Sequence, residues 1–236
     1  MSAQEHGTCK QIPTWKRGER HPGGHSKQRI GRVREARLND DSHHRAIPVP
    51  GRGELGPTPL PELRVLERRV FRDPRGSFAE LWRDDAGKAV GLPRFVQDNV
   101  ATSRRGVVRG LHFQNPHSQA KLVSVPLGEI FDVAVDVRVG SPTFGRWATF
   151  TLSDANGRYL YIPPGFAHGY QTVSETSVVI YKCSDYYSPN DERGIRWSDG
   201  AIGIPWPITS ATVSERDGTA PLLRDLLDEW LPHVEP

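Results

Sequence analysis

The chain has 236 residues, 25% of them charged and 36% hydrophobic, with 23 glycines and 20 prolines. That length suits one ordinary domain with or without a tail, and so many turn formers favour short strands over long helices. The formal net charge of +3 is unevenly spread: residues 1–60 hold 11 Lys/Arg against 6 Asp/Glu, and the rest carry 20 against 22. The main part of the chain therefore lacks the basic footprint of a nucleic-acid binder. No apolar run reaches membrane-spanning length, and Met1–Lys10 lacks the apolar centre of a secretory leader. Two cysteines, Cys9 and Cys183, form neither a disulfide framework nor a zinc spacing. A reduced, cytoplasmic protein without membrane or nucleic-acid partners is expected.

Residues 1–58 read as a disordered basic extension and linker, and 59–236 as the folded domain. Aliphatic residues are sparse in the extension and no helical or strand period persists. It holds five of the nine histidines, His6, His21, His25, His43 and His44. Arg29, Arg32, Arg34 and Arg37 suit an anionic partner better than these histidines suit a metal. Gly51–Pro61 (GRGELGPTPLP) is the predicted linker.

From Leu63 onward the pattern changes. Phe131, Val133, Val135 and Val137 alternate along one strand face, after Lys121–Val125 and a turn at Leu127-Gly128. Trp147–Leu152, Tyr159–Ile162, His168–Val173 and Ser177–Cys183 are further predicted strands, cut by Asp154–Gly157 and Pro163–Gly165. Such spacing predicts an all-β, antiparallel jelly-roll sandwich or barrel. Leu222, Leu223, Leu226, Leu227 and Trp230 share one helical face, which predicts a short C-terminal packing helix.

His112, His117, His168 and His233 are the histidines of the folded part. His112 sits in the run Arg109–Gln114, nine residues before Lys121. An imidazole is the natural base near neutral pH, and an ammonium beside it stabilises a developing oxyanion. Read alone, His168 and Tyr181 fit packing roles as readily as chemical ones. Residue type and spacing reach a small β protein with a His/Lys site and no further.

Taken in order, the segments carry more. Phe71–Gly76, Val96–Asn99, Arg109–Gln114, Gln119–Val123, Phe131–Arg138, Ser141–Gly145, Ile162–Gly169, Tyr181–Pro189 and Trp206-Pro207 together resemble the dTDP-4-dehydrorhamnose 3,5-epimerase family, from about Leu63 to Leu223. The resemblance implies a cupin-type jelly roll, usually a homodimer, acting on a dTDP-linked 4-keto-6-deoxy sugar without metal or cofactor. By the same resemblance His112 is the base, Asp217 its partner, Lys121 the enolate stabiliser and Tyr181 the opposite proton donor. Arg75 and Arg109 would hold the diphosphate. Gln97, Asp98 and Asn99 would lie near the nucleotide or sugar, and Tyr187 would stack on the substrate. Glu80, His168, Glu192 and Arg216 occupy further matching binding positions, and Arg75 and Glu80 would serve a neighbouring subunit. Two other readings stand against this one: a metal-dependent cupin, which needs a His-x-His cluster that the folded part lacks, and a non-catalytic nucleotide-sugar-binding module.

Overall fold

The computed structural model describes residues 60–234; the expected extension, 1–58, lies outside the described residues. Two five-stranded sheets face each other. The first takes β1 (Arg64–Glu67), β4 (Gln97–Arg104), β6 (Lys121–Leu127), β9 (Arg158–Ile162) and β11 (Thr176–Cys183), in the spatial order β1-β9-β6-β11-β4. The second takes β5 (Val108–Gln114), β7 (Glu129–Asp136), β8 (Trp147–Ser153), β10 (Phe166–Thr172) and β12 (Glu192–Gly194), in the order β12-β5-β10-β7-β8. All these pairings are antiparallel. The chain crosses between sheets from β4 to β5, β6 and β7 in turn, which makes the expected jelly roll. β2 (Val70–Asp73) and β3 (Gly76–Ala79) form a separate hairpin, and α1 (Asp84–Ala89) and α2 (Glu215–Thr219) are short helices.

The space between the sheets is filled by Val123, Val125, Ile130, Phe150, Leu160, Ile162, Phe166 and Val179. β7 alternates as its sequence demands, but its Val133 and Val135 pack with Leu111, Ile195, Leu223 and Leu231. The C-terminal segment, not the facing sheet, covers that side. The other side of β7 turns inward and carries Asp132, wholly buried, between Ile130 and Ala134.

Leu222–Trp230 departs from a single amphipathic helix. It forms two 3-10 turns, Leu223–Asp225 and Asp228–Trp230, joined by extended backbone at Leu226 and Leu227. That break ends the helical period: Leu223 is buried, whereas Leu227 is 50% and Trp230 38% exposed. The short C-terminal helix is thus present as α2 and these turns. No described helix is long and apolar enough to cross a membrane.

Candidate active site

A cavity of about 500 Å3 opens between the sheets and adjoins a second of about 300 Å3; His112, Lys121, Tyr181 and Glu192 line both. The first sheet contributes Lys121 from β6 and Tyr181 from β11, with Gln97 and Asn99 from β4. The second sheet contributes Arg109 and His112 from β5 and His168 from β10. α2 adds Arg216 and Asp217.

Two glycines set the position of His112. A Cβ on Gly110 would stand 2.6 Å from both Gly169 Cα and His168 O, and one on Gly169 would stand 2.7 Å from Arg109 O. Gly110 also has φ +111°, a conformation that side chains resist. The close approach lets the β5–β10 ladder shift register after His168, which faces His112 across the strands. Gly110→Ala should therefore cost about 3 kcal/mol through clash and backbone strain. Because the Gly110 N–H donates to Asp217 Oδ2 at 3.3 Å, turnover should fall with it. Denaturant unfolding and kcat measured on one preparation check both effects.

Asp217 is delivered by the first turn of α2, where its own N–H donates to the N-cap Ser214 Oγ at 3.1 Å. Its Oδ1 lies 2.7 Å from His112 Nε2, and the carboxylate is buried while the imidazole is 30% exposed. Burial pushes the Asp217 pKa up, but the hydrogen bond and charge of His112, with help from Gly110 and Ser214, bring it below the ordinary value. An ionised carboxylate can only accept, so His112 Nε2 carries the hydrogen and Nδ1 is left to take a proton.

Lys121 Nζ donates to His112 O at 3.3 Å. Burial lowers its pKa against the opposing charges of Cys183, Glu192 and Asp132, so the ammonium is held in a poorly solvated place where it acts strongly on an oxyanion. Tyr181 is partly buried, and burial raises its pKa, which keeps its proton on the phenol. Glu192 joins two further side chains: Tyr187 Oη donates to its Oε2, and Arg216 Nη2 lies 2.8 Å from the same oxygen. The Tyr187 N–H donates to Gln97 Oε1 at 2.9 Å, and Gln97 Nε2 to Asn99 Oδ1 at 3.1 Å.

Asp98 stands away from this cavity, and so do Arg75 and Glu80, the two residues expected at a neighbouring subunit's site. β4 has a period of two, so Asp98 points away from Gln97 and Asn99 and pairs on the outer face with Lys182 at 2.7 Å. Arg75 follows β2 at the tip of the β2–β3 hairpin, 89% exposed and paired with Asp73 at 2.5 Å. Glu80, just after β3, is 3.9 Å from Arg83 and borders neither cavity.

The structure also supplies partners that the motifs did not show. His168 Nε2 lies 2.9 Å from Asp132 Oδ2, a buried carboxyl whose pKa burial raises. The signal was an acid in the middle of an apolar strand. Gln114 Nε2 donates to His117 O at 2.9 Å, and its Oε1 accepts from Ser188 N at 3.0 Å, which fixes the loop that carries Tyr187. Each of the four described histidines sits beside an aspartate. Among the described residues no group of three or more His, Cys, Asp or Glu stands placed to hold a metal ion.

Comparison with known proteins adds an independent line. Residues 57–225 match the family model described as dTDP-4-dehydrorhamnose 3,5-epimerase. The dTDP-4-dehydrorhamnose 3,5-epimerase of Salmonella typhimurium is 47% identical over 177 residues, 72% of this chain and 95% of that protein. The Neisseria gonorrhoeae protein of the same name is 51% identical over 155 residues, 65% of this chain, which spans about half of that relative's length (47%). Among solved structures, the dTDP-6-deoxy-D-glucose-3,5-epimerase of Legionella pneumophila, in complex with dTDP-4-keto-L-rhamnose, is 43% identical with a TM-score of 0.72, covering 76% of this chain and 97% of its own. The catalytic candidates His112, Lys121, Tyr181 and Asp217 all fall inside the matched span, and the chain belongs to the dTDP-4-dehydrorhamnose 3,5-epimerase family.

Proposed function

We propose that this chain epimerises a dTDP-linked 4-keto-6-deoxy-hexose at C3, C5 or both, without metal or redox cofactor. One observation carries the reading: His112 and Tyr181 enter a single cavity from opposite sheets. A sugar ring lying between the sheets presents one face to each. The C3 and C5 hydrogens of such a sugar are acidic because each adjoins the C4 carbonyl. His112 Nδ1 takes the proton from one face, and Asp217 favours the imidazolium that forms. Lys121 stabilises the enolate oxygen, a contribution of about 3 kcal/mol for one well-placed donor. Tyr181 returns a proton to the other face, and the configuration inverts. The test is proton NMR of the substrate in heavy water, following deuterium into C3 and C5 separately. Label at both carbons gives a 3,5-epimerase, label at one a single-site enzyme, and label at neither removes the proposal. The regiochemical question is real for this fold: a 3′-monoepimerase from Streptomyces bikiniensis shares it at 32% identity and a TM-score of 0.69.

In this reading Arg109 holds the diphosphate, Arg216 and Glu192 order the cavity mouth, and Gln97, Asn99, His168 and Tyr187 contact the nucleotide or sugar. The folded domain carries all of them and residues 1–58 none, and the protein works in the cytoplasm. It is a homodimer, with Arg75 and Glu80 completing the neighbour's site. The exposed surface supports that arrangement: Phe78 is 71% and Phe71 47% exposed on the hairpin, and Val100 is 69% exposed on β4, an edge strand. Beside Val100 lies a groove of about 580 Å3 lined by Leu81, Trp82 and Ile180. Mixing two impaired variants, His112→Ala and Arg75→Ala, should then restore activity. In a twofold dimer the mixed species regains one intact site, so about a quarter of wild-type turnover is expected after exchange of subunits. No recovery would place Arg75 in its own subunit's site, and full activity of Arg75→Ala alone would place it outside the chemistry.

A further inference from the structure

The loop between β11 and β12, residues 184–191, carries Tyr187 and ends beside Glu192, and both of those side chains line the smaller cavity. It lies against the loop between β5 and β6, residues 115–120. Several bonds across that seam join neutral groups. Gln119 Nε2 donates to Asp185 O and Ala120 N to Ser184 Oγ, each at 2.8 Å, and Asn115 N donates to Asp191 O at 3.0 Å. One further bond joins two ionisable side chains. His117 Nδ1 lies 2.6 Å from Asp191 Oδ2, with the imidazole 65% and the carboxylate 14% exposed. His117 lines neither of the two site cavities, and the chemistry proposed above does not use it.

The charged groups around this pair favour the imidazolium. The hydrogen bond to Asp191 raises the His117 pKa, and the charges of Asp191 and Asp185 add to the rise. Asp191 is held below the ordinary carboxylate value by hydrogen bonds from Ser188 and His117, assisted by the charges of His117 and of Arg193 on β12. The C-terminal segment approaches with its backbone, Glu229 O and Leu231 O accepting from Asn115 Nδ2 at 3.5 and 3.2 Å. A hydrogen bond between ions is stronger than one between neutral groups, and this one is anchored on the residue directly before Glu192. The loop is therefore held most firmly while His117 is charged. Because the folded pKa is raised, the pair's contribution is complete below the unfolded value and fades as pH rises through the folded one.

We infer that His117 and Asp191 are positioning residues for substrate binding, their pair fastening the 184–191 loop so that Tyr187 and Glu192 stand at the ligand. The inference rests on the reading of these cavities as a nucleotide-sugar site. The probe is dTDP-glucose, which carries a hydroxyl in place of the C4 ketone and whose diphosphate, esterified at both ends, does not titrate near neutrality. Its affinity is measured by calorimetry at about pH 6 and about pH 8.5, on either side of the imidazole range, for wild type, His117→Ala and His117→Asn. Asparagine keeps an amide donor near the place of Nδ1 but cannot become charged. At the lower pH the alanine variant should bind about two- to fivefold more weakly, the scale of an exposed ion pair. The gap should narrow at the higher pH, and the asparagine variant should fall between the other two at the lower one. KM for the keto-sugar nucleotide should follow the affinity while kcat holds. Charges elsewhere in the site, His112 included, are common to all three proteins and cancel in the comparison. Equal affinity of wild type and His117→Ala at the lower pH would overturn the inference. So would a gap of the same size at both pH values, which would make His117 a structural contact indifferent to its charge. If the alanine variant fails to fold, the asparagine variant carries the same comparison. A wild-type protein that binds no dTDP-glucose would sink the reading of the site itself, an outcome visible before any variant is made.

Discussion

His112→Ala should abolish deuterium uptake at every epimerisable carbon. Nothing else on that wall is arranged as a base: His168 faces His112 across the ladder, but its Nε2 is engaged by the buried Asp132. General-base catalysis contributes about 10²–10⁴-fold, so a variant with near-normal exchange would contradict the assignment. Binding of dTDP should survive, because no guanidinium is touched, and calorimetry separates lost chemistry from lost binding. Asp217→Asn is the companion. The amide still accepts from His112 Nε2 but cannot stabilise the imidazolium, so kcat falls while KM changes little. Stability adds a second readout. Asp217's folded pKa lies below its unfolded one, so its contribution is complete above the unfolded value and is lost as pH falls through the folded one. The Asn variant should lose that part of the acid sensitivity.

How far the sequence reaches depends on the kind of residue. The strands of the core were legible because a period of two over valines and aromatics has few other solutions: β7, β8, β9, β10 and β11 lie within two residues of the predicted runs. The edge elements were not. β1, the β2–β3 hairpin and β12 are three or four residues long, carry mixed polarity, and exist because a neighbouring strand or turn holds them. The C-terminal helix showed a helical period, but extended backbone at Leu226 and Leu227 divides it. At the site, resemblance named His112, Lys121, Tyr181 and Asp217 and made Asp217 the partner of His112, and the two stand 2.7 Å apart across 105 positions of sequence. It named Asp98 together with Gln97 and Asn99, where simple alternation already puts Asp98 on the opposite face. It missed Asp132 and Gln114, whose parts come from burial and partners that no linear pattern displays.

Tyr181→Phe should separate taking the proton from giving it back. The change leaves the His112–Asp217 pair and Lys121 in place, and the ring still packs against the inter-sheet core. Enolate formation therefore continues. The face toward the first sheet has lost its donor, and His112 can return a proton only to the face from which it came. Between abstraction and return, His112, 30% exposed, exchanges part of its proton with solvent. The variant should then wash deuterium into the substrate with retained configuration, while inversion slows by the factor expected for loss of a general acid, about 10²–10⁴. If Tyr181 only packed in β11, removing one oxygen would leave exchange and inversion in their original ratio. Both rates come from one proton NMR time course in heavy water, exchange from loss of the C3 or C5 signal and inversion from growth of the epimer's resonances. Equal fractional changes in the two rates would rule out the donor assignment, because a residue acting on one face alone must alter their ratio.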